Sequence, residues 1–510
     1  MTAPATLADV VARTARSAPS REAVVDADVR LSYSQLLDAA TQHARALSAA
    51  GLAPGARVAH LGAPGAVFVV ATLGTSLAGG VWSGLDPRWT AAELARALDG
   101  LDPSLLLVDA TLPQPVHSAL RQALERTDRR AVVRHVASVL DLSSPLPRLP
   151  PPRTAPPAGT AVIVHTSGTT GVPKGACLTH AGLVEAGRLY ADRYGHPDAR
   201  TVLNLPINHV GALVDLVAST LTMGGSVVCV PRFEPAELPA LMSAERITLL
   251  GQVPTMHLAI DEVTGYDPND LPHLRHLVWS GAAMPRAWIA DRSGGRVELS
   301  TCYGQTECSG AVTFTRPGAS VDELARTVGV PAHPGLVRLR DGSDVSATPG
   351  AVGELEISGP LLAAGYFRDA QATRDMTTHD GWLRTGDLAR ICADGAVELV
   401  GRLREMFKSG GYNVYPREVE LALESHASVV TAAVLAVPDE RFQEVGHAFV
   451  VTRRPTSSGE LEAHARLLLA GYKVPRAVHL RTELPLLSNG KVDKSLLRRH
   501  ATPRSSEESS

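Results

Sequence analysis

Cysteine is scarce in this 510-residue chain, and the five present (Cys177, Cys229, Cys302, Cys308 and Cys392) form no CxxC pair. A scattered, odd-numbered set argues against a disulfide framework and against a cysteine-built structural zinc site. An excess of charge of one sign is also missing: 49 Lys and Arg stand against 52 Asp and Glu, a formal net of −3. Such near-neutrality gives no electrostatic basis for nucleic acid or an anionic membrane as the main partner. Long apolar runs are absent too. The most apolar stretch, residues 67–81, contains three glycines and is too short to span a bilayer. The N-terminal segment lacks a basic head followed by an apolar run, so no signal peptide is expected and the default location is cytoplasmic. No internal repeat is present.

What is there reads as α/β. Hydrophobic residues make up 45% and charged residues 20% of the chain, a soluble globular composition, and its length calls for more than one core. Short β-branched runs alternate with helical patterns. Strands are expected at 161–165, 225–230, 249–253, 276–279, 297–301 and 353–358. Helices are expected from Thr179 or His180 to Tyr194 and over 235–246. Residues 388–400 read as two strands around Ala393-Asp394-Gly395, a hairpin signal. After Gly401-Arg402 the pattern changes to a helix over 416–426, strands at 429–437 and 447–451, and a helix over 460–470. That is a unit of about 100 residues, the size of a separate domain. The expected architecture is a large N-terminal domain of several subdomains (1–402), a small α+β C-terminal domain (403–500) and a disordered polar tail (501–510). Residues 143–159, with seven prolines, read as an inert extended surface loop.

The strongest local signal is Thr166-Ser-Gly-Thr-Thr-Gly-Val-Pro-Lys-Gly175. Its glycines let backbone N–H groups turn toward a polyanion, its hydroxyls add donors, and Lys174 supplies a mobile cation. It follows a strand and is expected to precede a helix, the context of a phosphate site. It is not a Walker A loop, because the lysine follows Val-Pro and no GxxxxGK[ST] occurs.

This loop resembles the signature of the adenylate-forming superfamily, which includes acyl-CoA synthetases, peptide-synthetase adenylation domains and luciferases. Further motifs stand in that superfamily's order. Tyr303-Gly-Gln-Thr-Glu307 is similar to its YGxTE motif, and Gly353-Glu-Leu with Gly359 and Gly365-Tyr366 to the next. Arg384-Thr-Gly-Asp-Leu388 resembles TGDL, Gly401-Arg-Leu-Arg404 the hinge motif, residues 408–420 the loop after it, and Asn489-Gly-Lys-Val-Asp-Lys494 the last. The likeness runs from Leu31-Ser-Tyr33 to Lys494.

The resemblance implies ATP-dependent activation of a carboxylic acid as acyl-AMP, with transfer to a thiol, most readily CoA. Attack of a carboxylate on the α-phosphate brings two anions together, so the site must neutralise charge and hold oxygens in line. The resemblance gives Thr166, Ser167, Gly168, Thr169, Thr170, Gly171 and Lys174 to the ATP phosphates. It sets Tyr303, Gly304, Gly281, Ala282 and Ala283 around adenine and Asp387 and Arg402 at ribose. Thr306 is assigned to the α-phosphate and Glu307 to Mg²⁺, a hard cation that favours oxygen ligands. Lys491 would bridge the incoming carboxylate and the α-phosphate. After adenylation the small domain would rotate about Arg404, where relatives usually carry Asp or Lys. That motion withdraws the lysine and brings Ser409-Gly410-Gly411 to the thiol's path. Lys408 and Asn413 match positions that touch the adenylate in some relatives.

His209 is the expected gate of the acyl pocket, with Gly211, Ala212, Ser280, Gly281, Cys302 and Gly304 as lining. The Phe-Asp pair of amino-acid-activating domains is missing and Asp215 does not occupy its position, which disfavours an α-amino-acid substrate. Cys302 and Cys308 are expected to be packed rather than nucleophilic. His273 and His276, at i and i+3 without acidic partners, suggest no metal site. The other readings are delivery of the acyl group to a carrier protein in trans or to a nitrogen nucleophile, a luciferase-like oxygenase, and a non-catalytic nucleotide-binding scaffold. No carrier domain is expected after residue 500.

Overall fold

Aliphatic runs of four to six residues build three sheets in the large N-terminal part and one in the small C-terminal part. The computed structural model describes residues 6–27, 29–127, 131–166, 174–196, 198–342, 344–346, 350–439, 441–486 and 492–501. The six-stranded sheet runs in the order Val132–Val136, Leu105–Asp109, Arg57–Leu61, Val81–Leu85, Thr160–Thr166 and Lys174–Thr179. All its neighbours are parallel except the last pair. Its central strands are buried along their whole length, as parallel strands covered on both faces must be.

The nine-stranded sheet has a parallel centre. His276–Trp279 lies between Leu249–Gln252 and Glu298–Gln305, and Arg200–Leu203, Ser226–Cys229 and Glu22–Asp26 follow beyond Leu249–Gln252. The strand Gly310–Phe314 pairs antiparallel with Glu298–Gln305 on the other side. A five-stranded antiparallel sheet carries Val352–Ile357, Leu383–Ile391 and Val397–Arg402. The small domain wraps the helices Pro416–Glu424 and Ser458–Leu468 on a sheet built around the long hairpin Val429–Asp439 and Gln443–Thr452. This is the α/β architecture expected, a large domain followed by a smaller one.

Several expectations change. The phosphate-type loop does not run straight into a helix. Lys174–Thr179 forms a strand paired antiparallel with Thr160–Thr166, because Ala176, Cys177 and Leu178 are apolar and fully buried in the sheet. Only then does Thr179 cap the helix His180–Tyr194, its hydroxyl accepting the Gly182 N–H at 2.9 Å. The strand expected to end at Thr301 continues to Gln305 and carries Tyr303 and Gly304. The proline-rich segment is packed rather than inert. Leu149 is buried, and Thr154 O accepts from the guanidinium of Arg57 at 2.7 Å. That fully buried guanidinium also donates to Leu101 O and Asp102 O, which explains how a charge can sit there. Last, His276 does have an acidic partner, with Nδ1 3.3 Å from Glu298 Oε2. Still, no group of His, Cys, Asp and Glu among the described residues is arranged to hold a metal. A further helix, Lys494–Ala501, takes in the first residue of the expected tail, and residues 502–510 lie outside the described residues.

Candidate active site

The strand Glu298–Gln305 leaves the apolar core of the nine-stranded sheet and delivers its last residues to the junction with the antiparallel sheet. Its pairing with Gly310–Phe314 shifts register between Tyr303 and Gly304. A Cβ on Gly304 would stand 1.7 Å from Gly310 O, so glycine alone lets the two backbones approach. The chain then turns through Thr306–Cys308 and presents Thr306 and Glu307, both partly buried.

Three donors converge on Asp387. The Tyr303 hydroxyl donates to Oδ2 at 2.6 Å, Gln305 Nε2 donates to the same oxygen at 2.7 Å, and Arg402 Nε lies 3.0 Å from Oδ1. Asp387 and Arg402 face each other across the paired strands Leu383–Ile391 and Val397–Arg402. Gln305 also donates to Thr385 O at 3.0 Å, which locks its orientation. Asp387 is only 5% exposed, and a buried carboxylate requires such partners. Burial, and then the neighbouring Asp387 charge, push the Tyr303 hydroxyl well above its ordinary range, so it stays a donor. The same charge raises the Arg402 guanidinium.

A second cluster lies on the other side of the turn. Tyr366 donates its hydroxyl to Glu307 Oε1 at 2.6 Å, and Lys174 Nζ sits 5.3 Å from the centre of the Tyr366 ring. Backbone bonds fix this arrangement. Ala364 N and Phe367 N donate to Cys177 O and Gly175 O, both at 2.8 Å, and Ala363 N donates to Glu307 O at 2.8 Å. Gly365 has φ +130°, and a Cβ there would stand 2.5 Å from Thr373 Cγ2. Thr166 pairs with Lys174 across the hairpin. Ser167, Gly168, Thr169, Thr170 and Gly171 lie outside the described residues, as does Lys491.

Beside the Tyr303 strand lies a small pocket. A helical segment in π geometry, Gly211–Ala218, forms one wall and contributes Asp215 and Leu216. Tyr190, Leu205, Gln252 and Ser280 also line it. Of the residues expected at the acyl pocket, Ser280 is on this wall. Gly211 and Ala212 are buried in the same helical segment, and the Gly211 N–H donates to His209 Nδ1 at 3.0 Å. Cys302 is buried beneath, its thiol 3.4 Å from the Tyr190 hydroxyl and pushed up to about 12 by burial. Burial raises the Cys308 thiol likewise, so neither is a ready nucleophile. Gly281, Ala282 and Ala283 form an exposed segment after the strand His276–Trp279.

In the small domain, Lys408 is exposed on the hairpin Phe407–Ser409 and Tyr412–Val414, whose two-residue turn is Gly410-Gly411. The side chain of Asn413 lies outside the described residues. Arg404 stands in the turn after Val397–Arg402 and opposes the rise in the Tyr366 hydroxyl's pKa electrostatically. Motif reading passed over Gln305 because it occupies the unspecified position of YGxTE, and it gave Tyr366 no role. The signal for both was their place inside motifs already singled out.

Comparison with known proteins identifies the family. The profile of the family described as AMP-binding enzyme matches residues 11–367, and that of the AMP-binding enzyme C-terminal domain matches residues 418–491. The chain is similar to feruloyl-CoA synthase of Amycolatopsis sp., with 35% identity over 96% of this chain and 97% of the relative. Among solved structures it is similar to ATP-bound MatB from Rhodopseudomonas palustris, with 28% identity, a TM-score of 0.83, and coverage of 97% of this chain and 98% of that one. It is also similar to the amide bond synthetase McbA from Marinactinospora thermotolerans, with 28% identity, a TM-score of 0.84, and coverage of 98% and 100%. The chain belongs to the AMP-binding enzyme family of the adenylate-forming superfamily and is an AMP-forming carboxylate ligase.

Proposed function

We propose that this protein activates a carboxylic acid with ATP, releasing PPi, and transfers the acyl group of the resulting acyl-AMP to the thiol of CoA. The observation that carries the reading is the placement, on the two sides of the turn Thr306–Cys308, of Asp387, held by Tyr303, Gln305 and Arg402, and of the Glu307–Tyr366–Lys174 cluster. Oδ1 of Asp387 receives one donor, which leaves acceptor capacity for a ribose hydroxyl. Tyr303 and the segment 281–283 flank adenine in this scheme, and Lys174 with the loop after Thr166 neutralises phosphate charge.

Thr306 and Glu307 offer hard oxygen donors at the phosphate end, the chemistry Mg²⁺ selects, and Mg²⁺ there would offset charge on the departing PPi. Lys491 supplies the cation that meets carboxylate and α-phosphate together. In this scheme His209 serves as the gate of the acyl pocket. The boundary between the domains falls after Arg402, with Arg404 the pivot and the Gly410-Gly411 turn presented to the thiol after rotation.

An acid panel (aliphatic, benzoic, cinnamic and amino acids) with ATP and Mg²⁺ tests this, with AMP and PPi followed with and without CoA. Acid-dependent PPi release and an acyl-CoA product are expected. The named relatives include a feruloyl-CoA synthase, which makes cinnamic-type acids the first to try. PPi release without thioester would overturn the CoA step and favour a carrier protein or a nitrogen nucleophile. The likeness to an amide bond synthetase supports that second reading.

A further inference from the structure

The wall of the acyl pocket is mostly aliphatic or neutral, with Leu205, Leu216, Leu249 and Val278 among its residues, and it includes one acid. Asp215 is the fifth of eight residues in the π-helical segment Gly211–Ala218, a geometry that recurs at functional sites. The carboxyl is seated firmly. A Cβ on Gly310 would stand 2.4 Å from Oδ1, and the Ala311 N–H reaches that oxygen at 3.4 Å, a long contact for a hydrogen bond. No Arg, Lys or His among the described residues pairs with it, and Oδ2 takes no hydrogen bond from any described residue.

A carboxyl kept in an apolar wall with only this long contact costs stability unless something bound supplies a better partner. Burial raises it to about 7. Gln252 lines the same pocket, is 2% exposed, and has both amide atoms without a described hydrogen-bond partner. The Tyr190 hydroxyl, already engaged with Cys302, adds a third polar group.

We propose that Asp215 is a specificity-determining residue that receives a hydrogen bond from a donor group on the acyl chain, so that the enzyme prefers hydroxyl- or amino-bearing acids to their unsubstituted counterparts. The inference rests on the ligase reading above and narrows its substrate class. An apolar pocket discriminates weakly against an added or missing methylene. A site built around an unpaired acceptor rejects an acid that lacks the donor more strongly, because the acceptor then stays unsatisfied.

The test uses the full chain and matched sets of acids: cinnamate with its 4-hydroxy, 4-amino and 4-methoxy forms, and hexanoate with its 6-hydroxy and 6-amino forms. Acid-dependent PPi release is measured for the wild type, Asp215→Leu and Asp215→Asn. Wild-type kcat/KM is expected to favour a donor-bearing acid at least tenfold over both the unsubstituted and the methoxy acid. Asp215→Leu should erase or invert that ranking, mainly through KM, while an ATP-induced rise in melting temperature shows that it folds. Asp215→Asn keeps an acceptor but no charge, so it should preserve a hydroxyl preference and lose an ammonium preference. An unchanged ranking in a folded Asp215→Leu would overturn the inference and leave the ligase reading intact. No PPi release by the wild type with any acid, including the wider panel above, would overturn both.

Discussion

At the scale of single residues, the candidate site separates groups that hold nucleotide from the group expected to drive chemistry. Asp387 collects Tyr303, Gln305 and Arg402, so removing it unbinds three side chains at once. Asp387→Ala should weaken ATP binding at least tenfold by calorimetry, and unchanged affinity would remove its ribose role. Lys491→Ala should abolish acid-dependent PPi release yet largely spare thioester formation from supplied acyl-AMP. Equal loss of both half-reactions would sink the assignment. Asp215 makes a pH prediction with a definite sign. Its carboxyl, raised to about 7 by burial, holds a proton in the folded state that the unfolded chain gives up near the ordinary value of 3.8. Its favourable contribution is therefore complete below that value and is lost as the pH rises through about 7, by roughly 1.4 kcal/mol per pH unit at most. Asp215→Asn should remove this decline. Denaturant titrations of both proteins between pH 4 and pH 8 should show the variant gaining on the wild type as pH rises, and parallel curves would refute the burial argument.

At the scale of elements, the segment 363–367 joins the hairpin strand Lys174–Thr179 to the turn that carries Glu307. Gly365 permits this because its φ of +130° and the nearby Thr373 leave no room for a side chain. Gly365→Ala should shift Tyr366 off Glu307, cut adenylation severely and destabilise the protein by about 1–3 kcal/mol. Wild-type adenylation in that variant would show that the segment merely fills space. Elements with strong local signals were legible: the strand His276–Trp279, the helix His180–Tyr194 capped by Thr179, and the Ala393-Asp394-Gly395 hairpin all lie where periodicity and turn chemistry put them. What local pattern could not supply were features set by distant partners. Lys174–Thr179 becomes a strand because Thr160–Thr166 offers it an edge, and residues 144–159 are anchored because Arg57 lies buried beneath them. The pocket role of Asp215 is not legible in the sequence, since nothing there places it opposite Gly310.

At the scale of the whole molecule, the candidate nucleotide site belongs to no single sheet. Tyr303 comes from the nine-stranded sheet, Asp387 and Arg402 from the antiparallel sheet, and Lys174 from the six-stranded one. A ligand that binds there ties the three together and stabilises the folded state by mass action. ATP with Mg²⁺ at a hundredfold excess over Kd should add about 2.7 kcal/mol and raise the calorimetric melting temperature of the large domain. A shift confined to the small domain's transition would contradict the placement.

The five cysteines bear on how the proposed rotation could be seen. Burial pushes all five thiols up, but four of the cysteines are buried whereas Cys392 is partly exposed, on the hairpin next to the last strand of the large domain. A thiol-directed dye should therefore mark the native chain at one place. A second cysteine put at an exposed position of the small domain, such as Leu467, would complete a donor–acceptor pair spanning Arg404. Single-molecule fluorescence could then time the swing between half-reactions in a protein otherwise left as nature made it.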